Sequence, residues 1–184
     1  QAHSPGMHHA RHVIAEALTQ LPDAAIKAVY YKSESTLVGA DGEEPQNGYL
    51  IGSASSNIAT ENDLKFHIDW LKGQKTGFFV DQRDNRRLLG SFSHGRKVLN
   101  MFCYTGGFSV YALAAGAERV VSVDSSAKAV CLTDANVKLN FHDGDVAARH
   151  TSEAVDAFDY LAQMKQGEFD LIILDPPAFA KHRG

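Results

Sequence analysis

Two glycines and three aspartates carry the spacing of a ligand site. Gly106-Gly107 lies within Asn100-Met-Phe-Cys-Tyr-Thr-Gly-Gly-Phe-Ser109, directly behind the apolar pair Val98-Leu99. Glycine permits φ > 0 and lets a ligand approach the backbone, and a helix that starts just beyond offers N–H groups with no intrahelical partner. Thr105, Gly106 and Gly107 are therefore candidates for a backbone cradle, although a plain strand-to-helix turn explains a glycine pair equally well. Asp124 closes Val120-Val-Ser-Val-Asp124, about twenty residues past the turn, the interval at which a carboxylate reaches ribose hydroxyls. A helix N-cap is the alternative, but Ser125 and Ser126 already supply caps, which favours the ribose role. Asp156, in Val155-Asp-Ala157, could accept from an adenine amino group or cap the next helix, with equal support for each. Asp175-Pro176-Pro177 follows the apolar run Leu171-Ile-Ile-Leu174. Proline fixes φ and forces the preceding residue into extended geometry. The stiff exit aims carbonyls and the Asp175 carboxylate at a cleft, where they could hold a planar base while Phe179 stacks on it.

These residues need a scaffold, and the pattern from Arg96 onward supplies one. Short apolar strands over Val98–Phe102, Val120–Val123, Thr151–Val155 and Phe169–Leu174 alternate with helices over Phe108–Ala115, Ser126–Leu139 and Phe158–Met164. That alternation predicts βαβ units and a parallel sheet, and near-continuous apolar strands fit burial on both faces. Ligands of such sheets bind beyond the carboxyl ends of the strands, where all the candidates above fall. The dinucleotide fingerprint G-x-G-x-x-G is absent, as is the phosphate loop G-x-x-x-x-G-K-[ST], so a pyrophosphate ligand is disfavoured.

The preceding part reads differently. A helical period covers Met7–Leu21 through Val13, Ile14, Ala17, Leu18 and Leu21. Strands are expected over Ile26–Tyr31 and Tyr49–Ile51. Glu61-Asn-Asp63 forms a hairpin turn, Leu64–Trp70 an alternating strand and Gly77–Val80 a short one, and Asp81 caps a helix over Gln82–Phe92. The reading is an α/β chain with a small α+β domain carrying a β-hairpin over 1–94 and a Rossmann-like domain over 95–184, the boundary lying near Gly95.

Length and composition suit one full domain, or one domain plus an appendage. A net charge of −4 leaves no basic footprint for nucleic acid. Arg83, Arg86 and Arg87 form a small basic cluster that reads better as a solvated helix face. Two cysteines, Cys103 and Cys131, make no disulfide framework and point to a reducing, cytoplasmic setting. Both read as packing residues. No apolar run approaches transmembrane length, so no membrane partner is expected. His8 and His12 have a zinc-compatible spacing without a third ligand, so no metal is expected. No Ser/His/Asp pattern is visible.

Taken together and in order, three of these segments, Asn100–Ser109, Ser122-Val-Asp-Ser-Ser126 and Asp175-Pro-Pro-Ala-Phe-Ala-Lys181, resemble class I S-adenosylmethionine-dependent methyltransferases. More narrowly, they resemble the ribosomal RNA large-subunit methyltransferase I family, which makes 5-methylcytosine. Gly73-Gln-Lys-Thr-Gly-Phe-Phe-Val-Asp-Gln-Arg-Asp-Asn-Arg86 matches the block that this family carries before its catalytic domain, and the likeness runs from about Asp63 to Gly184. The resemblance implies S-adenosylmethionine as cofactor and large-subunit ribosomal RNA as partner. It implies that Thr105–Gly107, Asp124 and Ser125 hold the methionine and ribose parts of the donor and that Asp156 meets the adenine. Phe79, Gln82 and Arg83 would close the donor site. Asp175, Pro176, Pro177 and Phe179 would face the target base, with Asp175 the catalytic candidate and a donor contact as well.

The resemblance also implies what this chain leaves out. Cytosine C5 is a poor nucleophile, and the family first adds a cysteine thiolate to the ring. Neither Cys103 nor Cys131 occupies that place, so the thiol is expected beyond the fourth strand. The chain then reads as an internal fragment with the first four strands of a methyltransferase sheet, inactive alone, and an incomplete sheet leaves a homodimer open. Two other functions remain: a non-catalytic nucleoside- or RNA-binding Rossmann-like module, and a guanine or adenine N-methyltransferase, which needs no cysteine.

Overall fold

The computed structural model describes residues 1–34, 36–37, 45–54, 56–73, 75–142 and 144–176. Pro177 and Phe179 lie outside the described residues. Packing divides the chain into two units, residues 1–57 with 69–77 and residues 58–68 with 78–184. The change of sequence pattern near Gly95 and the change of packing do not coincide, because the hairpin and the helix after it pack with the sheet.

In the first unit, Ser4 caps α1 (Pro5–His9) by accepting from the Met7 N–H, and α2 (Arg11–Thr19) follows after Ala10. The expected single helix over Met7–Leu21 is thus broken at Ala10. Its apolar stripe faces outward: Val13, Ile14, Leu18 and Leu21 are exposed, whereas Ala15 and His8 are buried. A buried hydrogen bond of 2.7 Å joins His8 Nδ1 to Tyr31 Oη. β1 (Val29–Tyr31) pairs antiparallel with β2 (Gly48–Ile51).

The second unit opens with an antiparallel hairpin, β3 (Ile58–Glu61) and β4 (Leu64–His67). Asn62 and Asp63 both have positive φ, 48° and 66°, which suits the right-handed twist of a two-residue hairpin. The strand expected over Gly77–Val80 does not form. Gly77 has φ 84°, and the buried Phe78 ring packs tilted against Phe66, with ring centres 5.0 Å apart. A 3₁₀ turn over Val80–Gln82 leads into α3 (Arg83–Ser93), whose N-cap Gln82 makes no side-chain cap, so Asp81 does not cap it.

β5 (Lys97–Met101), α4 (Gly107–Ala114), β6 (Arg119–Asp124), α5 (Ala127–Asn140), α6 (Gly144–Ala147), β7 (His150–Ala154), α7 (Ala157–Gln163) and β8 (Leu171–Leu174) complete the unit. The strands pair in parallel in the order β7-β6-β5-β8. The chain leaves β5 in one direction for β6 and β7, then returns to its other side for β8, so the switch point lies at the carboxyl end of β5. Alternation along the strands separates two cores. Val98 and Val120 pack with Phe66, Phe78 and the α4 residues Val110 and Leu113, while Leu99, Met101, Val121 and Val123 pack with Ala157 of α7. Each fully buried aliphatic side chain contributes about 1.5–3 kcal/mol. Asn100 and Ser122 therefore share the first face, beneath Ser109 of α4.

Candidate donor-binding site

The loop from β5 into α4 is wound tightly. Phe102 (φ 56°), Tyr104 (φ 50°) and Gly106 (φ 73°) alternate in the left-handed region. For the two non-glycine residues this costs on the order of 1–3 kcal/mol each and persists only where the surroundings hold it. Here the surroundings do so. The Cys103 N–H donates to the Val123 carbonyl at 3.0 Å and the Gly106 N–H to the Cys103 carbonyl at 2.8 Å. From α5, Thr133 Oγ1 donates to the Tyr104 carbonyl at 3.0 Å and Asn136 Nδ2 to the Thr105 carbonyl at 2.8 Å. The other end of that amide ties down the hairpin, since the His67 N–H donates to Asn136 Oδ1 at 2.7 Å.

Thr105, Gly106 and Gly107 are buried, and the need for glycine is partly internal. A Cβ on Gly106 would stand 2.5 Å from the Thr133 methyl, and one on Gly107 would stand 3.1 Å from Arg86 Cδ. What the loop turns outward is its rim, where Tyr104 is half-buried beside Phe79, the two rings packing edge to face at 5.4 Å.

Asp124 stands at the end of β6, directly beside this loop. Its Oδ2 accepts from the Tyr104 N–H at 3.0 Å and its Oδ1 from the Ser126 N–H at 2.9 Å. Ser126 is the N-cap of α5, as one of the two candidate serines. A carboxylate has about four lone-pair sites, so each oxygen keeps room for a further donor. Ser125 is exposed alongside. Asp156 caps α7, with Oδ1 accepting from Phe158 and Asp159; its capping alternative is realised, and its other oxygen is on an exposed residue. Asp175 and Pro176 are exposed just past β8, which pairs with β5. Phe79 and Gln82 are half-buried, and Arg83 is mostly exposed. The sheet thus gathers Asp124, Ser125, Asp156 and Asp175 along the carboxyl ends of β6, β7, β5's neighbour β8 and the turn between them.

The residues missed in the sequence lie behind the glycines. Arg86 is not solvated: it is 3% exposed, with Nε donating to Glu61 Oε1 and Nη2 to Glu61 Oε2, both at 2.8 Å. Its Nη1 donates to the Phe79 carbonyl at 3.0 Å, and its guanidinium lies 4.5 Å from the Phe78 ring centre. Tyr111 Oη donates to Glu61 Oε1 at 3.0 Å, and Arg83 Nε to Oε2 at 3.3 Å. Burial alone would raise the Glu61 carboxyl; Arg86, with help from Tyr111 and Arg83, outweighs that and holds it below its ordinary 4.5. The signal was the spacing Arg86, Leu89, Gly90, Ser93. It is the inward face of α3, whose apolar Leu88 and Phe92 point outward.

A second polar set crosses the sheet. Asn100 Nδ2 donates to Ser109 Oγ at 2.9 Å, Ser109 and Ser122 hydroxyls share a bond of 2.6 Å, and Ser122 Oγ lies 2.8 Å from His150 Nε2. His150 Nδ1 is 3.7 Å from Asp134. The fold therefore assembles a Ser/His/Asp set that no sequence pattern announced. It is unsuited to nucleophilic work, because Ser122 is fully buried and its oxygen is already engaged. Cys103 is no nucleophile either: burial pushes its thiol up to about 12. Cys131 is exposed on α5. No group of three metal-ligating side chains occurs among the described residues. A recess of about 580 Å³, lined by residues such as His8, Arg11, Tyr31 and Tyr49, belongs wholly to the first unit.

A strained loop at a switch point, a helix start and a carboxylate at the next strand's end lie where open α/β sheets bind their ligands. Comparison with known proteins sharpens that reading. Residues 30–183 match the S-adenosylmethionine-dependent methyltransferase family, and the chain belongs to it. The match begins ahead of Asp63, where the sequence resemblance started. The chain is similar to ribosomal RNA large subunit methyltransferase I of Tolumonas auensis, 38% identical over 98% of this chain and 45% of that protein. It is similar to the protein of that name from Shewanella frigidimarina, 40% identical over 93% of this chain and 43% of that one. The chain spans somewhat less than half the length of these curated relatives. SMU.776, solved complexed with SAH, is 33% identical over 74% of this chain and 36% of its own, with a TM-score of 0.64. The M. jannaschii tRNA m1G37 methyltransferase, 19% identical over 92% of this chain and 47% of its own, shares the fold at a TM-score of 0.63. No helix among the described residues is long and apolar enough to cross a membrane.

Proposed function

We propose that this chain is the donor-binding half of an RNA methyltransferase whose substrate is large-subunit ribosomal RNA and whose target is C5 of a cytosine. The observation that carries the reading is the Asp124 carboxylate. It is hydrogen-bonded to Tyr104 in the strained loop yet keeps acceptor capacity at the strand end, where ribose hydroxyls are recognised. The present residues fit S-adenosylmethionine: the start of α4 suits its carboxylate, Asp124 and Ser125 its ribose, and the Phe79–Tyr104 rim its apolar parts. Asp156, whose carboxylate is half engaged in capping, would meet the adenine amino group. Gln82 and Arg83 would close over the donor, and Asp175, Pro176, Pro177 and Phe179 would face the base. When bound, the donor supplies an electrophilic methyl on a sulfonium; the chain's part is to hold and orient it.

Neither cysteine suits the thiolate step, Cys103 by its burial and Cys131 by its place on the outside of α5. We place the catalytic thiol, and with it turnover, in a part of the protein outside these 184 residues. The names of the curated relatives support a ribosomal RNA substrate, and a homodimer and a cytoplasmic location remain proposals.

The test is modification of large-subunit RNA by the whole protein with labelled donor, mapped by mass spectrometry. The expected product is 5-methylcytosine, with no incorporation by the 184-residue chain alone. A methylated guanine or adenine would replace the cytosine reading with that of an N-methyltransferase, and turnover by the chain alone would show that the thiol is misplaced.

A further inference from the structure

We propose that Glu61 and Arg86 are positioning residues for the donor loop, an inference that rests on the donor-site reading above. Arg86 touches that loop's supports at two places. Its Cδ occupies the space that a side chain at 107 would need, so the backbone at the start of α4 can lie only where the arginine stem allows. Its Nη1 holds the Phe79 carbonyl, and the Phe79 ring in turn packs on Tyr104, whose N–H is bound by Asp124. One guanidinium thus fixes both the helix start and the aromatic rim.

Glu61 fixes the guanidinium. The bidentate fork sets the plane of Arg86 in a way that a point charge cannot. Tyr111, a residue of α4 itself, holds Glu61 from the other side. Asn62 Nδ2 donates to the Tyr111 hydroxyl at 2.8 Å, so the hairpin tip and α4 are joined twice. Glu61 and Arg86 are both buried, while the outer members of the set, Asn62 and Arg83, are exposed. A buried ion pair is a weak device for stability but a good one for geometry. Sites held by such supports lose affinity when the support is loosened, even when no contact to the ligand is removed.

The test measures S-adenosylhomocysteine affinity by calorimetry together with thermal unfolding of the unliganded protein. Arg86→Lys keeps the charge beside Glu61 but loses the fork and the Phe79 contact. It is expected to weaken binding on the order of tenfold and to shift the amide resonances of Gly106 and Gly107. His150→Gln, in the other polar set, is the comparison: it is expected to lower the unfolding temperature while leaving affinity within about twofold. If Arg86→Lys does not fold, Tyr111→Phe removes only the hydroxyl on Glu61 and is expected to weaken binding about threefold. Unchanged affinity in the folded variant, or equal affinity loss in His150→Gln, overturns the positioning role alone. Failure of the parent protein to bind overturns the donor reading and this inference with it.

Discussion

Where the hairpin meets α3 and α4, Glu61 and Arg86 form a buried charged pair, braced by Tyr111 from α4 and by the exposed Arg83. On the α4 side of β5, β6 and β7, Asn100, Ser109 of α4, Ser122 and His150 pass neutral hydrogen bonds across the sheet. Both sets are buried, and both lie on the α4 face of the sheet. They differ in what failure costs. A neutral hydroxyl chain tolerates local slack, because each member leaves behind only a modestly polar group. The ion pair tolerates none, because loss of either partner strands a charge in the interior. Arg86 stands behind the glycines of the strained loop, and the neutral chain ties the loop's two ends together, Asn100 ahead of Phe102 and Ser109 behind Gly107. That arrangement suits a domain whose one demanding task is to hold the loop from Phe102 to Gly107.

The comparison breaks most visibly at Glu61. Glu61→Ala leaves Arg86 buried without a counter-charge and is expected to cost about 3–5 kcal/mol in urea-unfolding stability. A cost below about 1 kcal/mol, the range of an exposed pair, would mean that the two sets do not differ in kind.

Neither set was legible in the sequence. Glu61 read as a turn residue and Arg86 as part of a solvated basic cluster, because nothing local in the sequence marks one arginine of three as paired in the interior. The Ser/His/Asp set was invisible because its members come from β6, β7 and α5 and meet only after the sheet forms. The parallel sheet itself was legible, since strands buried on both faces keep continuous apolar runs. So were the turn at Gly106-Gly107, the end of β6 at Asp124 and the Ser126 cap, because these places in the fold follow from the local sequence. At Gly77–Val80 the expected strand gives way to a left-handed Gly77, a Phe78 packed beside Phe66 and a 3₁₀ turn that starts at Val80.

Acid sharpens the contrast by a smaller amount. Burial lowers the His150 imidazole below its ordinary 6.5, although Asp134 pulls the other way. The unfolded chain therefore takes up that proton first, and stability is full above pH 6.5 and declines as pH falls below it. Glu61 sits below its ordinary 4.5, so its contribution holds above that pH and is lost on further acidification. Unfolding measured from pH 8 down to about pH 2 is expected to show two steps, and His150→Gln to remove the upper one alone. A flat upper region in the parent protein would contradict the burial of a neutral imidazole.

The donor site itself is tested most directly at Asp124. Calorimetric titration of S-adenosylmethionine into the parent protein and into Asp124→Ala is expected to show saturable binding in the first. In the second, affinity is expected to fall at least about tenfold, the loss of roughly one charged hydrogen bond. Equal affinity in the two proteins would remove the ribose from Asp124, and with it the assignment of the β5–α4 loop as the donor's seat.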